Sequence, residues 1–248
     1  MNILRKFAAA GITVMALSSA AMAEEGQIRD PGWYAEREAE GARLDFIDVY
    51  DPWEGFNRRS YQFNRQFDRF VFLPAVRSYR FIFPGFARTG INNFWNNIDE
   101  VQHTSSSLLQ FKPGKAARSV GRFVINSTIG LAGLFDVASR MGIDKVNEDF
   151  GQVLGTWGVG PGPYFVIPIL GPSTLRDGIG LAADQAFALW VNVADVPESR
   201  RDEIGLALLY AIDTRNAVPL RYGDLKSPFE YEMVRFVVTK RRELLVDD

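Results

Sequence analysis

From Phe150 to Leu175 the chain reads FGQVLGTWGVGPGPYFVIPILGPSTL, with no charged side chain but with six glycines and four prolines. An interior proline costs a helix about 3 kcal/mol and a glycine about 1 kcal/mol. A straight membrane-spanning helix is therefore excluded. Irregular backbone survives at membrane depth only where protein buries it or where it lines a wet cavity. The stretch must be either a buried core loop or the wall of an internal passage.

The N-terminus, MNILRKFAAAGITVMALSSAAMA, sets Arg5 and Lys6 ahead of an apolar run and ends in Ala21-Met22-Ala23. This is the pattern of a secretory signal peptide over residues 1–23, cleaved after Ala23. The apolar run, Phe7 to Leu17, falls short of the ~20 residues that cross a bilayer, which makes a retained anchor the weaker reading. The mature chain is expected to begin at Glu24 and to work outside the cytoplasm. An arm over residues 24–50, rich in Glu, Arg, Gly and Ala, should lead into the domain, with Trp33 and Tyr34 packed locally. There is no cysteine, so an oxidising compartment would add no disulfide and the fold must rest on its own core. With 28 basic residues against 30 acidic, and two of the basic ones in the leader, nucleic acid is not an expected partner.

Aromatic residues make up 13% of the chain, so many rings must lie either in a large core or on amphipathic surfaces. The segment DPWEGFNRRSYQFNRQFDRF predicts a helix, with Asp51 as N-cap, Pro52 as first helical residue and Glu54 closing a capping box. On a helical wheel Trp53, Phe56, Phe63, Phe67 and Phe70 share one face, while Arg58, Arg65 and Arg69 take the other. A helix lying flat in a lipid interface has this pattern, and so does a surface helix with its stripe on the core. Pro74 and Pro84 should bound a short piece, and NNFWNNIDEVQHTSSSLLQ should give one or two helices with a break near Thr104. A second basic amphipathic helix is expected at KPGKAARSVGRFVINSTIG. It sets Ala116, Ala117, Val120, Phe123 and Val124 opposite Lys112, Lys115, Arg118 and Arg122, cations that are either solvated or set against lipid phosphates.

Farther on, GLAGLFDVASRMGI predicts a short helix, and Ser173 or Thr174 should cap a longer one through LRDGIGLAADQAFALWVNV, with Asp177 at the capping-box position after Thr174. PESRRDEIGLALLYAID gives another. Ser227, Pro228 and Glu230 open the last helix, whose Lys240, Arg241 and Arg242 suit a helix C-terminus. Strand alternation is weak throughout. The expected fold is all-α, with a single domain over residues 51–248.

Catalytic tools are scarce. His103 is the only histidine and there is no cysteine, so no His/Cys metal site can be assembled, and no G-x-S-x-G elbow accompanies a possible triad. GVGPGPY lacks the spacing of a nucleotide loop. Asp149 and Asp177 could be imagined as an acid and base pair, but the sequence gives them no geometry. No enzyme activity, cofactor or metal is expected.

Three stretches in order, DPWEGFNR at 51–58, RFVINSTIGLAGLFDVA at 122–138 and DFGQVLGTWGVGPGPYFVIPILGPSTLRD at 149–177, resemble the MlaA (VacJ) family of Gram-negative outer-membrane proteins. The resemblance implies amphipathic helices forming a ring around a channel, seated in the inner leaflet of the outer membrane. It implies withdrawal of mislocalised phospholipids from the outer leaflet and their transfer to a periplasmic lipid carrier that feeds an inner-membrane ABC transporter. Association with a trimeric porin is implied as well. Phe150, Gly151, Gly155, Gly158 and Gly160, with Gly162, Pro163, Tyr164, Arg176 and Asp177, should then build the channel or its wall. Trp53, Phe56, Phe63, Phe67 and Phe70 would form the membrane-interface helix. Asp51, Pro52 and Asn57, with Asn126, Gly130, Gly133 and Asp136, would be structural motif residues. The chain departs from the family in having no cysteine to acylate, so its hold on the periplasmic face of the outer membrane would rest on protein surface. That absence favours the other reading, a soluble periplasmic lipid-binding protein. An envelope hydrolase is a third, and would need His103 or Asp177.

Overall fold

The computed structural model describes residues 49–191, 200–219, 221–225 and 227–247. The expected signal peptide, and all of the 24–50 arm but its last two residues, lie outside the described residues. The chain is predominantly helical. Helix α1 (Glu54–Phe67) runs through a π-helical turn (Asp68–Phe72) into α2 (Leu73–Ile82), and the long α3 (Gly85–Leu109) packs against α4 (Pro113–Thr128). Short helices α5 (Val137–Arg140) and α6 (Phe150–Thr156) follow, then strands β1 (Tyr164–Ile167) and β2 (Gly171–Thr174). Helices α7 (Leu175–Val191), α8 (Arg200–Ala217) and α9 (Glu230–Asp247) complete the described chain.

Local chemistry explains most of these boundaries, though not always as the sequence predicts. Helix α1 starts at Glu54 with Trp53 at its N-cap and no side chain capping it. Asp51 is not the cap: its carboxylate instead accepts from Asn57 Nδ2 at 2.7 Å, from the Tyr231 hydroxyl and from Arg235. Tertiary partners on α9 outbid the local N–H groups. Pro74 does not end the helix either. It sits in the first turn of α2, just after a π turn in which the Leu73 N–H reaches back to Asp68 O, an i→i−5 bond. The wider turn lets a helix pass a proline.

No break occurs near Thr104. The hydroxyls of Thr104 and Ser105 donate to the carbonyls of Glu100 and Val101 at 2.7 and 3.1 Å, so each returns its bond to its own helix. Thr174 caps α7 as expected: its Oγ1 accepts from the Asp177 N–H and donates to the Asp177 carboxylate.

The uncharged stretch is neither all loop nor all helix. It forms α6, an exposed Gly/Pro turn, and an antiparallel hairpin in which Tyr164 faces Thr174 and Ile167 faces Gly171. The strands escape notice because each is four residues long and Pro172 interrupts the pattern of β2. Tyr61, Tyr164, Val166 and Tyr231 form a small buried cluster where the hairpin meets α1 and α9, flanked by Val49, Tyr222 and Val234.

Candidate functional site

Helix α1 is amphipathic in the opposite sense to an ordinary surface helix. Asn57, Arg58, Ser60, Asn64 and Asp68 are buried, whereas Trp53, Phe56 and Phe63 are exposed and Phe70 is 67% exposed. Phe67 is half-buried. The reason lies across the interface, where the hairpin offers unpaired backbone. Asn57 donates to Tyr164 O at 3.0 Å and accepts from Val166 N at 2.9 Å. Two turns on, Asn64 donates to Ile167 O at 3.0 Å and accepts from Ile169 N at 2.6 Å. Two asparagines seven residues apart thus stand in for a third strand and satisfy the open edge of β1. Arg58 completes the inward face, paired with Glu54 and Glu232 at 2.7 and 2.5 Å.

Helix α4 repeats this inversion. Its basic face is not merely solvated: Arg122 is 2% exposed and donates to Glu100, itself fully buried, at 2.5 Å. It also reaches Asp136, Ser139 and Ile143 O. Val120 and Val124 face outward instead. The motif residues after α4 form a fold-back around this arginine. Asn126 donates to Asp136 and accepts from Ala138 N, and Asp136 caps α5 by accepting from Ser139 N. Burial pushes the Asp136 carboxyl up, but the bonds from Ser139, Arg122 and Asn126 outweigh it and hold the group down at about 2. A side chain at Gly130 would meet the Phe135 carbonyl at 2.3 Å, and Gly133 has φ +89° against Asn97, so glycine is required at both.

A third charged cluster lies beneath α6. Asp149 caps that helix by accepting from Gln152 N, and Arg242 donates to both its oxygens at 2.6 and 2.8 Å. The same guanidinium reaches Asp177 at 2.9 Å, and Arg176 closes on Asp177 at 3.0 Å. Asp149 and Asp177 are therefore joined through an arginine, not poised as a free acid and base. Arg242 is more than the helix-end cation its position suggests: it continues the buried stripe Tyr231, Arg235, Thr239, a helical spacing visible in the sequence. Asp184 adds a third carboxylate, accepting from Phe150 N at 3.1 Å. Burial, reinforced by the charge of Asp149, pushes it up to about 7.

Between α1, the hairpin turn and α7 to α9 lies a mostly apolar cavity of about 670 Å³. Tyr61, Asn64, Asp68 and Phe72 form one wall, running from α1 into the π turn. Leu181 of α7 and Val234 and Val238 of α9 face them. The conspicuous polar feature is an ion pair, Arg215 on both oxygens of Asp68 at 2.5 and 2.9 Å. An ion pair with little exposure in an apolar wall is costly to desolvate, which marks the cavity as more than a packing gap.

None of the residues expected to build a channel lines this cavity. Gly151, Tyr164, Arg176 and Asp177 are buried among side chains, and Gly155 packs against Val246. Phe150 is half-buried beside Trp157. Gly158, Gly160 and Gly162 lie on the exposed turn, with Pro163 accepting from Leu175 N behind them. The part of the uncharged stretch that does reach the cavity is Ile169 to Pro172, the hairpin turn. His103 sits with Nδ1 2.7 Å from Glu148 O. Among the described residues no group of three or more His, Cys, Asp or Glu could hold a metal ion, and no helix is long and apolar enough to cross a membrane.

The protein is thus of a distinct class: a helical domain with a small hairpin, in which, among the described residues, buried polar side chains outnumber buried apolar ones and large apolar side chains crowd the surface. It belongs to the MlaA lipoprotein family, whose pattern matches residues 49–245. The intermembrane phospholipid transport system lipoprotein MlaA of Escherichia coli (strain K12) is 33% identical over 205 residues, covering 79% of this chain and 78% of that one. An uncharacterized protein of Rickettsia prowazekii (strain Madrid E) is 40% identical over 131 residues, 53% of this chain. The match spans about half, 52%, of the length of that relative. A solved structure described as "Structural basis for maintenance of bacterial outer membrane lipid asymmetry" superposes with a TM-score of 0.66 at 31% identity, covering 80% of this chain and all of that one.

Proposed function

We propose that this chain is a phospholipid-transport component of the outer membrane, helping to maintain lipid asymmetry by drawing misplaced phospholipids out of the outer leaflet. The observation that carries the reading is the outward turn of the rings on α1, with the polar face held inward by the hairpin. Apolar exposure on this scale is stable where the surroundings are themselves apolar. The family and its phospholipid-transport relatives support the same reading. In it, the helices form a ring in the periplasmic-side leaflet around a lipid passage, and the Gly/Pro turn at 158–163 belongs to its wall. A periplasmic lipid carrier feeding an inner-membrane ABC transporter takes the lipid onward, and a trimeric porin holds the ring in place. With no cysteine in these 248 residues, the hold on lipid rests on the exposed apolar surface.

The mostly apolar cavity favours a second reading, a soluble periplasmic carrier that shields an apolar ligand. Envelope fractionation of the natively secreted protein separates the two. Recovery with the outer membrane after a high-salt wash is the expected result, and recovery in the soluble periplasm overturns the membrane reading.

A further inference from the structure

From residue 53 to residue 90 the chain exposes charge of one sign only. Asp68 is buried against Arg215 and Glu54 is half-buried against Arg58, whereas Arg59, Arg65, Arg69, Arg77 and Arg80 are all exposed. Three of these arginines are not used inside the protein. Among the described residues the side chains of Arg59, Arg69 and Arg77 make no hydrogen bond or ion pair, while Arg80 is held by Asn216 Oδ1 at 2.6 Å. Each of the three also stands beside an exposed ring. On α1, Phe56 and Phe63 come three residues before Arg59 and four after it, which sets all three on the outward face. In the π turn the Arg69 guanidinium carbon lies 5.4 Å from the centre of the Phe70 ring. On α2, Phe81 follows Arg77 by four residues and is almost fully exposed.

This pairing of ring and cation fixes a depth. Exposed rings are at home just beneath lipid headgroups, but a guanidinium carried into the hydrocarbon is costly. An arginine can lay its apolar stem along the neighbouring ring and keep its head at the level of the phosphates. Its planar fork also matches two phosphate oxygens, and every exposed cation in this strip is an arginine. With no exposed carboxylate among them, the charge that would balance these groups has to come from outside the protein.

We infer that the outward face of α1, the π turn and α2 is a docking strip for anionic phospholipid headgroups, with Arg59, Arg69 and Arg77 on the headgroups and the rings beneath them. The inference rests on the membrane reading above. It adds a selectivity that burial of rings alone does not give, a stronger hold on a net-negative leaflet than on a zwitterionic one. A basic residue near an anionic surface strengthens binding about fivefold, so the three together contribute about a hundredfold.

The test uses the full chain, diluted from nonionic detergent onto vesicles and followed by flotation. One set of vesicles is phosphatidylcholine alone, and the other is phosphatidylcholine and phosphatidylglycerol in equal parts. The parent should partition more strongly onto the mixed vesicles at low salt, and the difference should shrink at high salt, where the charges are screened. Arg59→Gln, Arg69→Gln and Arg77→Gln together should cut partition onto the mixed vesicles about a hundredfold. Partition onto phosphatidylcholine and the thermal melt should stay nearly unchanged, and Arg59→Lys, Arg69→Lys and Arg77→Lys together should retain most of the preference. Arg118→Gln, Arg140→Gln and Arg241→Gln, at exposed positions outside the strip, should change the preference far less. Equal partition of the parent onto both vesicles, a preference that survives the strip variant, or equal losses in the two glutamine variants would overturn the strip. Firm binding to both vesicles without preference would leave the membrane reading standing, whereas no flotation with either would overturn both.

Discussion

At Asp184 the fold holds a carboxylate that is easier to protonate than it would be in the unfolded chain, because burial and the nearby Asp149 both oppose its charge. A group raised to about 7 contributes stability when protonated and loses it as pH rises from the ordinary carboxylate range through that value. Asp184→Asn keeps an acceptor for Phe150 N and removes the titration. Chemical denaturation should find the variant gaining on the parent as pH rises from about 5 to about 8, with the gap closing at the acid end. A gap independent of pH would show that Asp184 does not titrate in the fold. Single residues of this kind are hard to read from sequence. Arg122 falls on a basic face that looks solvated and Arg242 among helix-end cations, and only the arrival of Glu100 and of Asp149 from other elements shows them to be anchors. Asn57, in contrast, stands in a motif legible in the sequence alone, whereas its partners on β1 are set by the fold.

Among the elements, the crossing of α6 and α7 depends on two glycines touching. A Cβ on Gly180 would lie 2.3 Å from Gly151 N and 2.5 Å from Gly151 Cα, with backbone unable to give way. Gly180→Ala should therefore destabilise by at least about 2 kcal/mol, the scale of overpacking in a rigid core. Gly160, whose Cβ would meet nothing within 4 Å, should accept alanine with a change of less than about 0.5 kcal/mol. Thermal melts of the two variants compare them directly, and similar losses would contradict the crossing. The contrast also gives a clean probe of the turn: Gly158 and Gly162 have positive φ, so a side chain there strains the backbone whatever the turn does, whereas Gly160 carries no such confusion. Helix positions are legible because caps, prolines and 3.6-residue spacing are local signals. The π turn and the hairpin are not, since one exists to pass a proline in mid-helix and the other is completed by asparagines from a distant helix.

For the molecule as a whole, the apolar surface extends beyond the aromatic stripe of α1. Phe81 is 91% exposed and Phe86 82% exposed on either side of the α2–α3 corner, and Phe70 projects from the π turn. Replacing Phe70, Phe81 and Phe86 by serine should leave the melting temperature nearly unchanged, because exposed side chains contribute little to folding. Flotation with phospholipid vesicles should fall by at least tenfold, given roughly 1.5–3 kcal/mol for each ring removed from water. Flotation that survives the triple change would place the lipid-facing surface elsewhere. The sequence by itself determined the helical class and the two-faced nature of α1, since both follow from residue types at fixed local spacing, and its three ordered motifs carried the family resemblance. Which face of α1 turns inward was decided only by the tertiary structure. Spacing is symmetric between the two faces, and the tie is broken by where unpaired backbone and opposite charge lie: the β1 edge and Glu232 draw the polar side in, and the rings are left outside.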